Sequence, residues 1–85
     1  MTRLWPDGSP IQVTADENAR PLRFVWRGRT HEVETITREW RVRTEWWRGG
    51  EAWRAYFRLT TTSGMLVVIY HDLSTGGWLL QRLFD

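Results

Sequence analysis

The chain has 85 residues, with twelve Arg, no Lys, no Cys and a net charge of +2. That length predicts one domain, 1–85, and the lack of Cys excludes a disulfide staple or a thiolate metal site. No stretch is apolar enough for a membrane helix or laid out as a signal peptide, so a complete, cytoplasmic chain is the expectation, with no membrane partner.

A chain this short buries only about 60% of the surface exposed when unfolded. Its core must come from a few large side chains. Seven Trp are available, and each aromatic can bury roughly 150–250 Å². The all-Arg cation set fits a GC-rich genome. It also suits stacking and bidentate anion recognition.

Residues 1–20 read as an N-terminal arm with a short strand at 11–14, and 21–85 as a meander. Residues 14–20 are polar and end at Pro21, which predicts a loop or a single helical turn. Leu22, Phe24 and Trp26 then alternate with Arg23, Val25 and Arg27, the period of a half-buried strand. Gly28-Arg29 predicts a type II′ hairpin turn. That register sets Trp26 against His31, Phe24 against Val33, Leu22 against Thr35 and Arg23 against Glu34.

Trp40, Val42, Thr44 and Trp46 alternate with Arg41, Arg43, Glu45 and Trp47. After a turn at 48–51, Trp53, Ala55, Phe57 and Leu59 alternate with Arg54, Tyr56 and Arg58. Residues 51–59 also fit a helical stripe, but a strand accounts for more of them. Closing the hairpin pairs Trp46 with Trp53, Val42 with Phe57 and Trp40 with Leu59. The other face then pairs Glu45 with Arg54, Arg43 with Tyr56 and Arg41 with Arg58.

Ser63-Gly64 is a turn, and residues 65–70 are a continuous apolar run, predicting a strand covered on both faces. Residues 73–77 turn the chain again, and 78–84 form the last strand. The expected fold is all-β: one antiparallel meander of about seven strands, as a strongly bent sheet or open barrel.

No enzyme constellation emerges, and no cofactor is expected. There is no phosphate-cradling Gly loop and no nucleophile elbow at Ser9, Ser63 or Ser74. His31 and Glu34 lack a third metal ligand, so no metal site is expected. Asp72 reads as the start of a turn.

Trp26, Trp40, Trp46, Trp53 and Trp78 are expected in the core. Trp47 falls on the Arg-bearing face beside Arg48, as an interface anchor or a residue covered by a loop or the N-terminal arm. Arg41, Arg43, Arg54 and Arg58 surround Tyr56. Basic groups around an aromatic are the minimal surface for single-stranded nucleic acid. A solvated face with cross-strand Arg–Glu pairs is the plainer alternative. The register also sets Arg41 and Arg58 opposite each other, an arrangement that an acid, a phosphate or a partner carboxylate would neutralise.

Trp40-Arg41-Val42, Glu45-Trp46-Trp47-Arg48, Tyr56-Phe57-Arg58-Leu59, Gly64, Tyr70-His71-Asp72-Leu73, Gly77-Trp78 and Leu83-Phe84-Asp85 together resemble a small Trp-rich bacterial domain of unknown function. That domain occurs alone and at the C-terminus of ImuB, the Y-family-polymerase-like subunit of the bacterial mutasome. Pro21, Phe24, Trp26-Arg27-Gly28-Arg29 and His31-x-Val33 resemble the stand-alone members. His71 and Phe84 depart from the Arg and Tyr associated with those positions. The resemblance implies an accessory domain in DNA damage tolerance, with partner binding and without polymerase activity.

Three function classes follow. One is a non-enzymatic interaction module docking a protein partner. The second is direct single-stranded nucleic-acid binding through the Arg/Tyr face. The third is a structural, self-associating domain. A homodimer is expected from Val67 and Ile69, extended by Leu79 or Leu83, if they share a face with Tyr56 and Arg58.

Overall fold

The computed structural model describes residues 2–45 and 51–84, and side chains among them except at 6, 7, 44, 45, 51 and 52. Six strands are described: β1 (Arg3–Ala15), β2 (Pro21–Trp26), β3 (Arg29–Glu45), β4 (Glu51–Thr61), β5 (Leu66–Asp72) and β6 (Trp78–Phe84). The all-β antiparallel meander is as the alternation predicts. Each strand pairs with its successor, and β1 pairs with β6 to close the barrel. No helix is long and apolar enough to cross a membrane.

The two strands expected around 30–35 and 40–47 are one strand, β3. Its lower part, Arg29 to Glu32, pairs with β2, and from Val33 onward it pairs with β4. The register shifts twice on the way, between Val33 and Thr35 and between Ile36 and Arg38. Each extra residue lets the strand bend from one side of the barrel to the next. The arm at 1–20 is likewise mostly a full strand, bulged between Leu4 and Ser9 where it crosses β6.

The β2–β3 turn differs from the predicted type II′. Arg27 and Gly28 are its central residues, with φ of 51° and 76°. Positive φ at both positions is the type I′ form, whose twist matches the flanking strands. The Arg27 guanidinium lies 4.6 Å from the Trp26 ring centroid, a contact that helps hold an Arg in this conformation. The register therefore moves by two: Phe24 opposes His31, Trp26 opposes Arg29, and Arg23 opposes Glu32. Arg23 and Glu32 approach to 3.7 Å. An even shift keeps the side chains paired in this hairpin on their expected faces, whereas Thr35, beyond the register shift, does not keep its own.

Other turns form as their residues dictate. The Asp16 carboxylate accepts from the Asn18 and Arg20 N–H groups, at 2.8 and 3.0 Å. At the next hairpin the Thr61 hydroxyl oxygen accepts from the Met65 N–H at 3.1 Å.

The barrel interior is filled by Ile11, Phe24, Phe57, Leu59, Val67, Ile69 and Leu80. Trp5, Trp26 and Trp78 pack around them, partly buried. A second apolar cluster lies on the outside of the barrel, where Tyr56, Val68 and Tyr70 are buried beneath Trp40, Leu79 and Phe84. β5 is thus covered on both faces, as its unbroken apolar run predicts.

Gly8 belongs to the bulge of β1. Its φ is +78°, and a Cβ there would lie 2.6 Å from the Tyr70 hydroxyl and 2.7 Å from Leu79 Cβ. Gly8→Ala therefore combines a left-handed backbone with a steric clash. It is expected to cost at least about 2 kcal/mol. Thermal melting followed by circular dichroism checks this; an unchanged Tm would show that β1 does not seat on Tyr70.

Candidate functional site

The β3–β4 register decides what the Arg residues can do. Trp40 opposes Tyr56, Arg41 opposes Ala55, Val42 opposes Arg54, Arg43 opposes Trp53 and Arg38 opposes Arg58. This is three residues from the predicted pairing. An odd shift exchanges faces between the strands. Phe57 and Leu59 stay inside, paired with Ile69 and Val67 of β5. Trp40 and Val42 turn outward.

Several expectations are corrected by this register. Trp53 is not a core residue but 41% exposed, and it faces Arg43 rather than Trp46. Trp40 lies on the outer face, stacked on Tyr56 with ring centroids 5.3 Å apart. Arg41 and Arg58 are not opposite, so the two-Arg anion site predicted between them is not formed. Arg43 is not beside Tyr56, nor Glu45 beside Arg54. Val67 and Ile69 are fully buried inside the barrel, so the apolar strip expected to drive self-association is not on the surface. Trp46, Trp47 and Arg48 lie outside the described residues.

The predicted Arg/Tyr cluster separates into two groups. Arg41 and Arg43 stand on the inward-facing side of the β3–β4 ribbon. Arg54, Tyr56 and Arg58 stand on the outer face. The structure adds partners there that the sequence reading did not single out as site residues: Arg38, Trp40, Tyr70, Arg82 and Phe84.

The outer face is ordered in rows across the strands. One row runs Trp40, Tyr56, Tyr70, Leu79 from β3 to β6. The next runs Arg38, Arg58, Val68, Arg82. Adjacent strands lie about 4.8 Å apart, so the Arg row spans about 14 Å. Two like charges stand directly opposite at Arg38 and Arg58, which by itself is unfavourable. Among the described residues, no carboxylate pairs with Arg38, Arg58 or Arg82; the ion pairs are Arg20–Glu39 and Arg23–Glu32.

Aromatic rings take the place of acids. Arg38 lies 5.0 Å from the Trp40 ring centroid, and Arg58 and Arg82 lie 5.8 and 5.6 Å from that of Phe84. Such contacts contribute about 0.5–1 kcal/mol at exposed sites. A guanidinium near a ring still has N–H donors to offer an anion. Tyr56 and Tyr70 are too buried to offer a free ring. Trp40 and Phe84, half-buried, are the accessible aromatics of this face.

Arg54 sits differently. It lies 4.8 Å from the Tyr70 ring centroid. A side-chain hydrogen bond with Tyr56 is the main reason its pKa is raised. Asp72 opposes it on β5. Arg54 is therefore a structural member of the face more than a free cation.

Asp72 starts the β5–β6 turn as predicted. Its carboxylate accepts from the Ser74 hydroxyl at 2.6 Å and the Ser74 N–H at 3.0 Å. The Ser74 hydroxyl bond is the first cause of its lowered pKa, with the Ser74 and Thr75 N–H groups and Arg54 assisting. A lowered folded-state pKa gives stability that is complete above the unfolded carboxyl value, near 3.8. That stability is lost as pH falls through the folded value. Asp72→Asn should lower the Tm at pH 7 and flatten its fall below pH 4. Melting curves from pH 7 to pH 2.5 check this; parallel profiles would remove the role.

Among the described residues, no three His, Asp or Glu side chains gather as a metal site. The His31 ring instead stacks on Phe24 at 5.1 Å, and His71 stacks on Trp78 at 4.3 Å.

No curated protein and no solved structure matches the chain. One family does match, over residues 6–85. The span takes in all of β2 to β6 and the Arg row, and the chain belongs to the family described as a domain of unknown function, DUF6504.

Proposed function

We propose that this protein is a non-catalytic binding module for single-stranded nucleic acid, using the outer face of β3–β6. The observation that carries the reading is the row Arg38, Arg58 and Arg82, each held over an aromatic ring with no carboxylate partner among the described residues. Phosphates would neutralise the row, and unstacked bases would pack on Trp40 and Phe84. Double-stranded DNA is disfavoured, because the net charge is only +2 and duplex binding without base readout leans on charge alone. The resemblance to the C-terminal domain of the mutasome subunit ImuB supports a role in DNA damage tolerance, where single strands are the common substrate.

Fluorescence anisotropy with a labelled twelve-nucleotide oligothymidylate at 50 mM salt tests the reading. Saturable binding that weakens with added salt is expected. No binding at low salt would end it. The matching oligouridylate separates DNA from RNA preference.

A further inference from the structure

We infer that the open mouth of the barrel is a second site, which takes an extended acidic segment of a partner protein carrying one aromatic or branched apolar anchor. Two adjoining clefts lie there, of about 310 and 350 Å³, and share Arg41 and Leu73. Ala55 and Phe57 line the first, and Trp53 lines the second. Trp53 and Leu73 are each 41% exposed. They are also fixed to each other, since the Leu73 N–H donates to the Trp53 carbonyl at 2.9 Å. A Trp–Leu pair joined through its backbone and left partly open to solvent is what an apolar anchor needs.

Charge selects the occupant. Arg20 and Arg41 line the first cleft with Glu39, and Arg20 holds Glu39 at 3.0 Å. Two guanidinium groups face one carboxylate, and among the described residues no acid pairs with Arg41. A carboxylate beside the anchor would complete the site. The backbone fits as well. Among the described residues, β3 from Val33 onward pairs with β4 alone. Its other edge carries no ladder partner among the described residues, and added-strand pairing is the mode in which main-chain hydrogen bonds give affinity and alternate side chains give specificity. Beside Trp53 the clefts are lined by the aliphatic Leu73 and Ala55, which suit an apolar peptide anchor better than a base.

Arg41 and Trp53 stand on the other side of the β3–β4 ribbon from the Arg38–Arg58–Arg82 row, although Trp40 and Tyr56 of the outer face also line the first cleft. The two can be tested apart. A random dodecapeptide display library would be panned against the full chain, and the enriched sequences synthesised with a fluorophore. The expected peptides carry an aromatic or branched aliphatic residue flanked by Asp or Glu. Arg41→Glu and Trp53→Ala should each weaken them at least tenfold. Both variants should keep the wild-type Tm and the wild-type affinity for the twelve-nucleotide oligothymidylate. The inference falls if no peptide enriches, if the enriched peptides are basic or lack an apolar anchor, or if binding survives both substitutions. It also falls if oligothymidylate displaces the peptide competitively, which would assign the mouth to nucleic acid.

Discussion

Phe24→Ala is expected to lower the Tm by on the order of 15–30 °C, the largest stability effect of any single substitution considered for this barrel. Phe24 is fully buried on β2. Its ring stacks on His31 across the hairpin, and its backbone pairs with Val13 of β1 and His31 of β3. It therefore ties the short β2 to both neighbours. Truncating a buried Phe costs about 3–5 kcal/mol in transfer and cavity terms. A domain of this size has about 4–13 kcal/mol in total, at 0.05–0.15 kcal/mol per residue. Each kcal/mol moves the Tm by about 4–8 °C in so small a domain. The closure of the barrel depends on β2, so unfolding should stay cooperative. Melting by circular dichroism and a urea titration are the checks. A Tm shift of less than about 5 °C would mean that the interior is not packed around this ring.

The second large effect concerns binding. Replacing Arg38, Arg58 and Arg82 together with Ala should abolish the salt dependence of oligothymidylate affinity. For single strands each neutralised phosphate contributes about −0.7 to the slope of log K against log salt. Three contacts give a slope near −2, so the wild type should lose roughly 15–20-fold in affinity between 50 and 200 mM salt. Each single substitution should reduce the slope by about 0.7 and weaken binding similarly for every base sequence. Trp40→Ala should weaken binding by about 1–3 kcal/mol with the slope unchanged, because stacking carries no counterion release. Arg41→Ala, on the other side of the sheet, should do neither. A triple variant that keeps the wild-type slope would remove the Arg row as the phosphate track. Thermal melts separate this from unfolding, since Arg38 and Arg58 are exposed and opposed as like charges; their loss should not destabilise the fold.

The difference between the predicted and observed sites comes down to β3. Trp40 and Val42 alternate with Arg41 and Arg43 as cleanly as any strand in the chain, and the alternation is real. Alternation says which residues share a face, not which face is inside. The two register shifts in β3 each insert one residue, so the inward side switches at the first and returns at the second. His31 and Val33 point in, then Ile36, then Glu39 and Arg41. Arg41 thus shares the inward side with His31 and Val33, and the apolar character of Trp40 reflects packing on the outer cluster rather than the interior. The β2–β3 hairpin shows the contrast. Its turn was misplaced by one residue, yet the register moved by two and the faces survived.

Local chemistry by itself determined the fold class, the turns at 16–20, 61–65 and 72–77, and the double burial of β5. These rest on neighbours in sequence: side-chain period, a carboxylate capping its own turn, a glycine at positive φ, an unbroken apolar run. Tertiary structure alone decided the rest. Closure of β1 on β6 made a bent sheet into a barrel. Phe24, Phe57 and aliphatic side chains fill its interior, while the β3–β4 register sets Trp40 outside over Tyr56 and leaves Trp53 partly exposed. Cross-strand register aligned Arg38, Arg58 and Arg82, which come from three different strands. No pattern within one strand could bring them together, because their spacing is set by the distance between strands rather than along them.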